Sequence, residues 1–118
     1  MKTFEFDFKN KADWESYEAL CQQIQEQVGG QDKISMLINN KELFEPYKGK
    51  LHKRSDEYIE QTLNTNIFPQ VFMSRFFGPA LKARMDGSET HSAIITMTSY
   101  YSQKLAANMP LYSSCKSF

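Results

Sequence analysis

From Lys2 to Phe8 the chain alternates without a break, with Phe4, Phe6 and Phe8 on one side and Thr3, Glu5 and Asp7 on the other. That two-residue period predicts a half-buried strand over about residues 2–8, with the character of a sheet edge. Beyond Asn10 the period lengthens. Trp14, Tyr17, Cys21, Ile24 and Val28 recur at helical spacing, Asp13 is placed to cap the first turn, and Gly29-Gly30 stops the helix. Residues 34–39 are a short apolar run suited to a buried strand. Lys41 to Asp56 then carries Pro46, Gly49 and a basic cluster, and reads as a loop with a solvated surface.

A long helical segment is predicted from Asp56 to Arg84, with Ile59, Leu63, Ile67, Val71 and Phe72 as its apolar stripe and a kink at Pro69. Asp86–His91 is a turn. Residues 92–98 form a third strand, apolar enough to be buried on both faces. Tyr100–Met109 is a loop, and Pro110 suits the first turn of a closing helix. Strand, helix, strand, helix, strand, helix is the order of an α/β fold: a parallel sheet joined by crossover helices, in one domain.

Composition narrows the function classes. The chain has 118 residues, with fourteen basic and fourteen acidic side chains, and its pI is near 6.7. No overall field draws in nucleic acid or an anionic membrane surface. No apolar run reaches membrane-spanning length, and the opening residues lack the apolar core of a signal peptide. A soluble protein is expected. Cys21 and Cys115 lie far apart without metal-ligand spacing, which reads as two reduced thiols in an intracellular compartment. His52 and His91 stand alone, and no metal site is expected.

The candidate chemistry collects at strand ends. Tyr112 and Lys116 are four residues apart and share a helix face. Ser99 lies thirteen residues before Tyr112, at the carboxyl end of the third strand. Open α/β sheets place their reaction crevice at that level. Asn39 and Asn40 end the second strand there too. Asn66 lies on the apolar stripe of the long helix, where an amide needs a partner or a purpose.

Ile38-Asn39-Asn40 after an apolar strand, Asn64–Phe72, Ile95–Ser99 and Tyr112–Phe118, in this order, resemble the short-chain dehydrogenases/reductases. The branch they are most similar to holds the 17β-hydroxysteroid dehydrogenases and very-long-chain 3-oxoacyl-CoA reductases. The resemblance covers nearly the whole chain but only the middle of a family member. It implies an incomplete Rossmann-type, doubly wound three-layer fold with a short parallel sheet, and NAD(P)-dependent oxidoreduction of a lipid-like carbonyl or alcohol. Asn66, Ser99, Tyr112 and Lys116 are then the catalytic tetrad. Tyr112 donates the proton and Ser99 hydrogen-bonds the substrate oxygen. Lys116 lowers the phenol pKa and holds the nicotinamide ribose, and Asn66 holds a relay water. Asp7 matches an acidic residue that contacts the adenine ring, and Asn39 starts the loop lining the NAD or NADP cleft.

The family's glycine-rich turn is missing: Gly29-Gly30 sits at a helix stop before a strand. The asparagine pair, usually followed by a small residue and glycine, is followed here by Lys41 and Glu42. Ser102 replaces a further glycine. Cofactor binding and activity are therefore not expected of the chain alone. It reads as the central catalytic segment of an oxidoreductase, or as a degenerate remnant serving as a structural or interaction subunit. Self-association is expected through uncovered apolar faces or through the long and catalytic helices, unless a complementary chain covers them. The branch's members associate with the endoplasmic reticulum membrane. Lys116, two residues from Phe118, is expected to fray and to leave Tyr112 an ordinary phenol.

Overall fold

Asp13 fixes where the first helix begins. Its carboxylate accepts hydrogen bonds from the Ser16 backbone N–H at 2.7 Å and the Ser16 hydroxyl at 2.8 Å, which satisfies a donor that the first turn leaves free. Helix α1 runs Trp14–Val28 and stops at Gly29, whose φ of 85° suits a residue without Cβ. This is a computed structural model, and it describes residues 3–10, 13–44, 50–87, 91–104 and 108–118.

Strand β1 (Met36–Asn39) follows α1 after a single 3₁₀ turn. Helices α2 (Asp56–Asn66) and α3 (Phe68–Gly87) come next, then strand β2 (Ala93–Thr96) and helix α4 (Pro110–Ser117). β1 and β2 pair in parallel, with Met36 opposite Ala93 and Asn39 opposite Thr96. An α/β fold with a short parallel sheet is the one predicted, and the pair is the second and third predicted strands.

The predicted long helix is two helices. Pro69 has no N–H for the carbonyl of Thr65, its ring crowds that carbonyl, and it disfavours helical geometry at Phe68. The chain therefore breaks at Ile67 and restarts, with Pro69 in the first turn of α3. Pro79, by contrast, is carried inside α3.

Residues 3–7 are not the predicted strand: they have no regular structure, and residues 8–10 form a turn. Among the described residues no strand offers them a ladder. Their alternating rings are buried another way, against a helix. Phe6 and Phe8 lie 4.9 and 6.2 Å from the Tyr17 ring on α1, and Tyr17 in turn lies 4.7 Å from Phe72 on α3. The period marked a half-buried segment correctly, but the partner is a helix face.

The core sits between α1 and α3. Cys21, Phe77 and Leu81 are buried there, with Ile24, Ile34, Leu37, Met73 and Phe76 packed around them. Leu37 thus ties one face of β1 to α3. The other sheet face is open: Met36 and Ile38 on β1, and Ile95 on β2 with Met97 just beyond it, are 40–56% exposed. The Rossmann-type layering is incomplete on that side. The loop residues 45–49, 88–90 and 105–107 lie outside the described residues.

Two outcomes follow from this core. Phe77→Ala removes a ring that is 2% exposed and should cost about 3–5 kcal/mol in urea unfolding. Burial pushes the Cys21 thiol up from 9.0 to about 12, with Glu18 adding to the shift. A raised folded-state pKa means that this stabilisation is complete below pH 9 and lost as pH rises towards 12. The fall in Tm over that window should be shallower in Cys21→Ala, with Tyr17, Tyr112 and Cys115, which burial also pushes up, contributing to the remainder.

Candidate active site

The register of the sheet sets the site's floor. Asn39 and Thr96 end the two strands side by side, and the Asn39 amide donates to the Thr96 hydroxyl at 3.4 Å and to Ser74 of α3 at 3.3 Å. Three residues beyond Thr96, Ser99 begins a 3₁₀ turn and its hydroxyl accepts from the Tyr101 N–H. Pro110 opens α4, where its fixed φ suits the first turn. Tyr112 and Lys116 follow one helical turn apart, both buried.

The end of α4 is fastened, contrary to the fraying expected. Thr98 donates its hydroxyl hydrogen to the Lys116 carbonyl at 2.7 Å, and the Ser117 hydroxyl donates to Ser102 at 2.8 Å. These are the carbonyls and side chains of a last turn, satisfied by the segment after β2. The Lys116 ammonium lies 5.8 Å from the centre of the Tyr112 ring and 3.4 Å from the Met97 carbonyl. It also forms an ion pair with Glu42 at 3.1 Å, with the lysine side chain 5% exposed and the glutamate 44%.

Asn66 is the last residue of α2 rather than a mid-helix residue. Its amide is fully used: Oδ1 accepts from Leu43 N–H at 2.9 Å, and Nδ2 donates to Leu43 O at 3.2 Å and Thr62 O at 2.9 Å. The chain after β1 is thereby pinned to the end of α2.

A cleft of about 340 Å³ opens at the strand ends. Asn39, Thr96, Asn66 and Lys116 line it with Leu37 and Met97. Ser99 and Tyr112 do not line this cleft; they stand beside each other next to it. Burial raises the Tyr112 phenol above its ordinary value; Ser99 opposes that shift, while Glu42 and Tyr101 add to it. The phenol is therefore less acidic than an ordinary one. Burial likewise pushes up the Cys115 thiol, against Lys116.

Asp7 immediately precedes the turn at residues 8–10, and its carboxylate accepts from the N–H groups of Lys9 and Asn10 and from the Asn10 side chain. Its neighbour Phe8 reaches the cleft, under Lys41 at 5.4 Å. Sequence reading did not foresee the part played by residues 42–44. Glu42 stood out in place of a glycine, but its partner lies on the last helix and no local pattern points there. Phe44, whose ring meets the Tyr112 ring edge-on at 5.0 Å, carries no local signal.

Among the described residues no group of three or more metal-ligating side chains forms, and no described helix is long and apolar enough to cross a membrane.

The family described as short chain dehydrogenase matches residues 1–118. No protein with a curated description matches the sequence. Among solved structures, the chain is similar to an NADH-dependent reductase, A1-R′, responsible for alginate metabolism (TM-score 0.78, 23% identity, 97% of this chain and 44% of that one). It is also similar to serine dehydrogenase from Escherichia coli (0.72, 24%, 91% and 45%). A third neighbour is the bulky-bulky ketone specific alcohol dehydrogenase from Comamonas testosteroni (0.67, 19%, 98% and 41%). The chain thus spans less than half the length of these structures, and at such identities the likeness is one of fold.

The three hydrogen bonds of Asn66 make it sensitive to isosteric change. In Asn66→Asp the carboxylate can still accept from Leu43 N–H but has no hydrogen for Leu43 O or Thr62 O. Urea unfolding should show a loss of about 1–3 kcal/mol, and amide exchange at Leu43 should quicken.

Proposed function

Since this chain belongs to the short chain dehydrogenase family, we propose that it carries the proton-transfer part of an NAD(P)-dependent oxidoreductase interconverting a ketone and a secondary alcohol. The observation that carries this reading is the assembly of Tyr112, Ser99 and Lys116 at the carboxyl ends of two parallel strands, with Asn66 bracing the adjoining segment. Ser99 would hydrogen-bond the substrate oxygen where negative charge grows, and Tyr112 would pass its hydroxyl proton to that oxygen. Lys116 would favour the phenolate left behind. A nicotinamide cofactor supplies the hydride when bound.

The donors present suit one end of such a cofactor. The Asn39 amide, Thr96 hydroxyl and Lys116 ammonium beside Leu37 and Met97 offer polar partners for a ribose and an apolar wall for a nicotinamide ring. The pyrophosphate end is different. The Gly29 and Gly30 N–H groups already serve the carbonyls of Gln25 and Glu26, so they form no phosphate cradle. Two solved neighbours are complexes with NAD and NADP, and the choice for this chain stays with the family pair. Asp7, committed to its turn, would have to reach an adenine from there.

The apolar cleft wall also supports a lipid-like substrate, as in the hydroxysteroid and 3-oxoacyl-CoA branch, with the associated membrane setting. The open face of β1 and β2 supports assembly with a second copy or a complementary chain. One observation favours the non-catalytic reading: Lys116 is engaged by Glu42.

Nicotinamide fluorescence tests the proposal. Residues 1–118 alone should show no saturable NADPH response. A chimera preceded by the glycine-rich strand–turn–helix of a structural neighbour should bind NADPH and reduce a ketone. In the chimera, Tyr112→Phe should keep binding and lower turnover by about 10²–10⁴-fold. A folded chimera that neither binds nor turns over would establish the non-catalytic reading.

A further inference from the structure

Three consecutive residues after β1 meet three of the four proposed catalytic side chains. Glu42 pairs with Lys116 at 3.1 Å, Leu43 exchanges two hydrogen bonds with Asn66, and Phe44 sets its ring on Tyr112. We propose that Glu42–Phe44 is an intramolecular strap that holds the proton-transfer site closed, with the Glu42 carboxylate taking the place on Lys116 that a ribose diol would occupy. The identity of the displaced group rests on the nicotinamide reading above; the strap itself does not.

The contacts differ in how readily each can part. Leu43 is anchored at both its N–H and its C=O by one buried amide, so the middle of the strap is fixed. Glu42 is 44% exposed while its partner lysine is 5% exposed. The carboxylate can therefore leave the pair for water, whereas the ammonium cannot follow it. Water compensates the departing carboxylate, and an entering ligand with hydroxyl acceptors compensates the lysine. Opening then needs only a side-chain rotation at Glu42 and a shift of the Phe44 ring.

While the strap is closed, two effects suppress the chemistry. Glu42 neutralises the charge that would favour a phenolate at Tyr112, and its own charge next to the phenol opposes ionisation. The groups bearing on this pair are Glu42 from the strap, Ser99 and Tyr101 from the turn after β2, and Cys115 beside Lys116 on α4. Only Glu42 among them is a carboxylate, and it is the one paired with the Lys116 ammonium.

The test uses the 118-residue chain and reads Lys116 and Tyr112 separately. Acylation of Lys116 by an N-hydroxysuccinimide ester is followed by peptide mass spectrometry, with exposed Lys33 as internal reference. Ionisation of Tyr112 is followed by carbon-13 resonance of labelled tyrosine, assigned by its loss in Tyr112→Phe. In Glu42→Gln and Glu42→Gly the Lys116 rate should rise several-fold relative to Lys33, and the Tyr112 midpoint should fall. Phe44→Leu should move both in the same direction and covers the case of a Glu42 variant that does not fold. Unchanged labelling and an unchanged midpoint in folded Glu42 variants would overturn the strap. In the chimera described above, Glu42→Gln should tighten NADPH binding several-fold. Equal NADPH affinity with and without the substitution would overturn the blocking role. Absence of NADPH binding in every variant, with labelling and midpoint both moved, would defeat the nicotinamide reading and leave the strap standing.

Discussion

Everything at the site hangs from one parallel register. Met36 opposite Ala93 places Asn39 opposite Thr96, so both strands end at one level and their continuations diverge from it. One continuation carries Glu42, Leu43 and Phe44; the other carries Met97, Thr98 and Ser99. A register slip of one residue would send every side chain to the opposite face. Leu37 would leave the α3 core and Asn39 would leave Ser74. The apolar face of β1 against α3 therefore fixes the geometry of polar groups that never touch the core.

Around that floor, α1 and α3 pack through the apolar core, while α2 and α4 are tied to the strand continuations by side-chain hydrogen bonds to backbone. Asn66 ties α2 to the segment after β1, while Thr98 and Ser117 tie α4 to the segment after β2. Such bonds to buried partners matter chiefly through the cost of leaving them unmade. They explain how a two-turn helix keeps Lys116 in place when helical propensity alone would let it fray. They also show why the same lysine can be well positioned and yet engaged: position comes from Thr98 and the helix, and engagement from Glu42.

The site consequently holds the groups proposed for proton transfer in a chemically quiet arrangement. Tyr112 is buried, its phenol is raised rather than lowered, and the nearest cation is neutralised. Its neighbours in fold include reductases and dehydrogenases more than twice as long. One face of the sheet is open, with Met36, Ile38 and Ile95 in contact with water.

The sequence by itself determined what depends on local periodicity and local chemistry. Asp13 and Gly29 bounded the first helix because a cap and a left-handed stop are properties of single residues and their immediate neighbours. The β1 and β2 runs, the break at Pro69, and the spacing of Ser99, Tyr112 and Lys116 were legible for the same reason. Only the tertiary structure decided which surfaces those elements met. The alternation of Phe4, Phe6 and Phe8 states that one side is buried but not against what, and Tyr17 of a helix took the place of a neighbouring strand. Glu42 shows the same limit at the site: its charge and its unusual place after two asparagines were visible. Its partner was not, because an ion pair between β1's continuation and the last helix depends on the sheet register that brings them together.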